Sequence, residues 1–167
     1  RRAFMAQIAD DAANLRRTLD LGQTSSSPLV VFKGVLWATL FLTGGLDGRR
    51  HFERWLGDAL AASFDANGGP IDRAPDSAAR ALADLIDIRQ AFRAAGYEEP
   101  QPVASAIEAA TAWVRMMRHG DGGLACFNGA AAMSGPDLDH LLTVADSKAR
   151  ALREAPDSGY MRLVGGR

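Results

Sequence analysis

Along most of the chain, apolar side chains return every three or four positions, the spacing that gathers them on one face of an α-helix. Phe4, Ile8, Leu15 and Leu19 form the first such stripe. After the break GQTSSSP, Pro28 opens a second helix, where its missing N–H costs nothing in the first turn. This segment, PLVVFKGVLWATLFLT, is apolar on nearly every side, which predicts neighbours all round it. A third helix sets Phe52, Trp55, Leu56 and Leu60 against Glu53, Arg54 and Asp58 on its other face. A fourth carries Leu82, Leu85, Ile86 and Phe92 and stops at Gly96, which accepts a left-handed backbone, with Pro100 and Pro102 beyond it. Val103, Ile107, Ala110, Val114 and Met117 make the fifth, ended by Gly120. The sixth opens at Ser134 or Asp137 as cap and runs through Leu138, Leu141, Leu142, Ala145 and Leu152. The tail SGYMRLVGGR alternates and predicts a strand.

This order predicts an all-α fold of antiparallel helical hairpins joined by short glycine-rich loops. No repeat of fixed length stands out, so a strict solenoid is not expected. The closing strand has no evident partner in the chain, which implies a sheet further on in a longer protein. The ends agree: the chain starts RRAF, without Met and inside a predicted helix, and stops straight after the predicted strand.

Composition narrows the function classes. Of 167 residues, 47% are hydrophobic and 23% charged, the profile of a folded water-soluble chain. Nineteen Lys and Arg against 20 Asp and Glu leave a net charge of −1 and no basic run, which argues against a nucleic-acid partner. The longest apolar run contains Lys33 and falls short of the roughly 20 residues that a bilayer requires, so no membrane partner is expected. Asp10 and Asp11 stand where a secretory signal would need its apolar centre. Cys126 is alone, which rules out an internal disulfide, and no Cys/His spacing suits zinc. No cofactor is expected in this chain.

Two loops carry the candidate chemistry. NGGPIDRAPDSA, residues 67 to 78, and HGDGGLACFNGA, residues 119 to 130, resemble two loops of the heparinase II/III-like polysaccharide lyases, D-G-G-x-x-x-R-S-P-x-Y-H and H-x-D-G-x-x-x-x-F-N-D. The resemblance implies an incomplete α/α toroid over 1–156, with 157–167 as the first strand of an absent β-sandwich domain. It further implies an acidic polysaccharide and the protein's own sandwich as partners, β-elimination on uronic acids, and a periplasmic or secreted location. It leaves open a metal in the sandwich. Proton transfer by placed Tyr and His groups supplies the rate in such enzymes. Here the standard positions differ: Ser77 and Ala78 stand for Tyr and His, and Ser26, Ser27, Val30 and Val31 for the polar residues of N-H-x-x-E-N. No catalytic residue is assigned. The alternatives are a non-catalytic glycan-binding protein and a helical scaffold for protein partners.

The substrate-binding candidates are Arg73, His119, Asp121 and Asn128. Each has a plainer reading beside the functional one. His119 and Asp121 contact a sugar, or they belong to a helix stop in which Asp121 satisfies local N–H groups. Arg73 forks onto a carboxylate, or it ties its loop to Asp72 or Asp76. Asn128 donates to a ligand, or it caps the following segment. Trp37, Trp55 and Trp113 lie on apolar stripes and are expected in the core. Tyr97 and Tyr160, the only phenols, lie away from the family's tyrosine position. His140 and Asp137 share a helix face but lack a third metal ligand.

Overall fold

The computed structural model describes residues 2–22, 27–46 and 49–163. Among them the chain is all-α, with six helices: α1 (Arg2–Leu21), α2 (Pro28–Thr43), α3 (Arg49–Ser63), α4 (Pro75–Ala94), α5 (Gln101–Met116) and α6 (Gly135–Ala145). The only sheet among these residues is a two-stranded ribbon of β1 (Glu154–Ala155) and β2 (Tyr160–Met161). The chain divides into two compact units, residues 1–63 with 87–100 and residues 64–86 with 101–167, and α4 contributes to both.

In the first unit α2 packs against α1 and α3. Leu29, Phe32, Val35 and Leu36 of α2 are buried, and Phe32 meets the Phe52 ring edge-on at 6.3 Å. Thr39 is buried as well and accepts from Arg16 at 2.6 Å, so the hydroxyl is not left without a partner. Lys33 reaches Asp87 at 2.9 Å. The helix is not surrounded, however. Val30, Trp37 and Phe41 are 45%, 46% and 64% exposed, so the expectation that α2 is covered on every side, and Trp37 with it, does not hold. Among the described residues its main neighbours, α1 and α3, cover only part of a cylinder that is apolar on nearly every side. Trp55, by contrast, is buried as expected, its Nε1 donating to Asp20 at 3.1 Å.

The second unit is built round α5, whose Val103, Ile107, Trp113 and Val114 are buried together with Leu82 and Leu85 of α4 and Leu138 of α6. Ser134 caps α6 by accepting from the Asp137 N–H, as the sequence suggested. The helix then ends at Ala145 instead of continuing to Leu152, because Asp146 turns left-handed with φ 50°. Residues beyond it run as an extended strap across α5: Arg115 donates to the carbonyls of Ser147 and Ala149, and the Leu152 N–H reaches Ala112 O at 3.3 Å. The strap supplies the missing strand partner. Tyr160 and Met161 pair antiparallel with Ala155 and Glu154, so the closing strand has a partner just upstream.

Asp76, in the first turn of α4, is 6% exposed. Burial pushes its carboxyl up, but the Ala131 N–H at 3.0 Å and the Arg80 guanidinium at 2.5 Å outweigh that and hold its pKa below the ordinary 3.8. A lowered folded pKa means that this stabilisation is complete above the unfolded value and disappears as pH falls through the folded one. Urea midpoints are therefore expected to drop on acidification below about pH 4. Asp76→Asn should flatten that decline while lowering the midpoint at neutral pH. An acid limb equally steep in the variant would assign the pH dependence elsewhere.

Candidate functional site

The two glycine-rich loops of the second unit are built on one plan. In the first, Asp65 N–H donates to Gly69 O at 2.8 Å and Gly68 N–H to Asp65 O at 3.0 Å, closed by a single bridge between Phe64 and Pro70. In the second, His119 N–H donates to Gly123 O at 2.8 Å and Gly122 N–H to His119 O at 3.1 Å, closed by a bridge between Arg118 and Leu124. Gly68 and Gly122 take φ of 80° and 89°, where a side chain is strained. Each turn is braced by an aspartate: Asp65 Oδ1 accepts from Asn67 and Gly69 N–H, and Asp121 Oδ1 accepts from Gly123 N–H at 2.9 Å. Asp121 makes the local backbone contact that its plainer reading describes. Leu124 and Ala125 are buried and form the connector that returns the chain to Asn128.

What the loops do next was not legible in either of them. Asn128 Nδ2 donates to Arg73 O at 3.0 Å and lies 3.0 Å from Tyr160 Oη, and the Tyr160 hydroxyl is itself 3.3 Å from Arg73 O. The Arg73 guanidinium lies over the Tyr160 ring, 4.8 Å from its centroid. Neither Asp72 nor Asp76 holds it. Asp72 accepts from Ala74 N–H and the Ser77 hydroxyl, and Asp76 is occupied by Arg80 and Ala131. Arg73 and Asn128 both have left-handed backbones, with φ 59° and 52°. That conformation costs a non-glycine residue on the order of 1 kcal/mol and is retained only where the surroundings fix it. The fixing contacts here are the ones between the loops. Asn128 therefore acts as a brace and not as a cap.

Behind this junction lies a buried polar chain. Trp113 Nε1 donates to Ser158 Oγ at 2.9 Å, and the Ser158 hydroxyl hydrogen-bonds Asp65 Oδ2. Tyr160 closes the assembly with its ring against Trp113 and Phe127, at centroid distances of 6.1 and 5.2 Å. Tyr160, Trp113 and Ser158 escaped the sequence reading as site residues, since their partners lie far away along the chain.

Beside Tyr160 opens a groove of about 440 Å³. Its walls are chiefly Met116, Met117, Phe127, Tyr160 and Met161. Arg118, His119 and Arg162 stand along it. Arg118 is tied to Asp139 at 2.8 Å, and Arg162 donates to the Arg115 and Met116 carbonyls that end α5. Of the four candidates, then, Arg73 and Asn128 meet, His119 lines the adjoining groove, and Asp121 serves its own turn. No group of three His, Cys, Asp or Glu side chains among the described residues is placed to hold a metal. His140 and Asp137 remain a pair of surface residues on α6.

The standard lyase positions carry structural duties or none that concerns catalysis. Ser77 binds Asp72, Ala78 is fully buried, Val31 is buried and Val30 exposed. Ser27 precedes α2 without a side-chain cap bond, and Ser26 lies outside the described residues.

Comparison with known proteins bears on the resemblance directly. No family model matches the chain, and no solved structure matches it. It is similar to FtsZ-localized protein C of Caulobacter vibrioides (strain NA1000 / CB15N), with 31% identity over 112 residues, covering 65% of this chain and 19% of that protein. The chain thus spans about a fifth of that relative's length. The resemblance to heparinase II/III-like lyases is overturned by these findings, and with it the assignment of β-elimination on uronic-acid polysaccharides, glycosaminoglycans included. The physical reason lies in the loops: the Gly, Asp and Asn residues that carried the resemblance are those which tight helix-to-helix turns require in any setting. The all-α class does not depend on it.

Proposed function

We propose that this chain is a protein-binding module of a protein that works at FtsZ assemblies, and that the groove of the second unit is its binding surface. The observation that carries this reading is the groove's preformed wall. Tyr160 packs against Trp113 and Phe127, meets Asn128 Nδ2 at 3.0 Å and carries the Arg73 guanidinium over its ring, so this wall stands ready with little ordering left to do on binding. Apolar concave surfaces with a few fixed polar groups are where ligands and partner segments settle. The setting comes from the relative, whose name records localisation with FtsZ.

Co-sedimentation tests the reading. The chain is expected to pellet with FtsZ polymers and to stay in the supernatant when polymers are absent. Met161 is a wall residue with 64% of its surface exposed. Met161→Asp, which places a charge there, should return the chain to the supernatant while leaving its melting temperature nearly unchanged. Equal recovery in the supernatant with and without polymers rejects the proposal.

A further inference from the structure

The ring that walls the groove also carries a cation without a counter-charge. Arg73 is exposed, and its guanidinium makes no ion pair or hydrogen bond with another described residue. Its backbone is nevertheless held firmly, with Asn128 at 3.0 Å and Tyr160 at 3.3 Å on its carbonyl oxygen. The guanidinium lies over the Tyr160 ring with its N–H groups unclaimed by any described residue, and such a fork can grip a carboxylate with two parallel hydrogen bonds. The two neighbouring carboxylates that could have neutralised it, Asp72 and Asp76, are engaged elsewhere.

The adjoining groove supplies the apolar half of the site. Met116, Met117 and Met161 line it, and thioether side chains are unbranched and polarizable, so they mould themselves to varied apolar groups. Arg118, which is paired with Asp139, and Arg162 border the trough, and no described acidic side chain lines it. Asp139 is bound to Arg118, and Glu154 stands opposite Met161 across the ribbon.

We infer that this site takes a segment of a protein partner in which a large apolar side chain stands next to a carboxylate, the apolar group among the methionines and the carboxylate on Arg73. The inference rests on the binding role proposed above and specifies its ligand. Fluorescence anisotropy with three labelled peptides tests it: one alternating Asp and Leu, one Asn and Leu, one Lys and Leu. The Asp/Leu peptide is expected to bind the full chain most tightly and the Lys/Leu peptide least. Arg73→Gln should weaken the Asp/Leu peptide about tenfold, the scale of one charge-assisted hydrogen-bonded pair, and leave the Asn/Leu peptide unchanged. Met161→Asp should weaken both. Thermal melts of each variant confirm that it is folded. Equal affinity for all three peptides, an Arg73→Gln variant that binds Asp/Leu as before, or binding of phosphatidylglycerol vesicles in place of any peptide overturns the inference. Peptide failure with FtsZ co-sedimentation intact removes only this ligand, and the reverse outcome removes only the FtsZ setting.

Discussion

Trp113→Ala is expected to cost the second unit about 3–5 kcal/mol, the largest loss of any single truncation in the chain. The indole is fully buried, and its removal leaves a cavity between α5 and the ribbon as well as a Ser158 hydroxyl, itself bound to Asp65, deprived of its indole donor. At a urea slope of about 1–3 kcal/mol per molar, the unfolding midpoint should fall by roughly 1 M or more, read by circular dichroism. Trp113→Phe separates the two contributions. It keeps most of the bulk and loses the N–H donor, for about 1–2 kcal/mol. Trp37, at 46% exposure, provides the control, and its truncation should shift the midpoint far less. If the two alanine variants melt alike, the buried chain from Asp65 through Ser158 to Trp113 is not what holds the unit together.

Gly68→Ala should be nearly as damaging, by a different route. A Cβ at this position would lie 2.5 Å from the Ala109 carbonyl carbon and 2.7 Å from the Ala109 Cβ, and backbone of a central helix cannot yield as a flexible side chain can. The positive φ of 80° adds on the order of 1 kcal/mol for any residue with a side chain. Together with overpacking costs of about 1–3 kcal/mol, the loss should reach roughly 2–4 kcal/mol. Gly96→Ala isolates the conformational part, because Gly96 has a similar φ of 77° and open space round it. A Gly68→Ala chain as stable as Gly96→Ala would mean that the loop does not press on α5.

The helices were legible because each needs only its own residues: period, cap and stop lie within one stretch of chain. Ser134 at the start of α6 and Gly96 beyond α4 took the conformations their types suggest. Where the reading went wrong, distant partners decided. The sixth helix stops early since Asp146 turns and Arg115, far upstream, claims the carbonyls that follow. Trp37 lies open because nothing in its own stripe tells how many neighbours α2 will have. Glycine and aspartate spacing in the two loops reports turn chemistry and carries no information on what a turn serves. From there the step to a lyase family had no physical support.

By itself the sequence determined the all-α class, the order of the helices and the two braced turns, since helical periodicity and left-handed glycines are local properties. Only the tertiary structure decided that Arg73, Asn128 and Tyr160 would meet, and that the last strand would pair with its own strap. Those contacts join positions 55 and 32 residues apart, and the free energy that selects them arises from packing round Trp113, which no single stretch of chain contains.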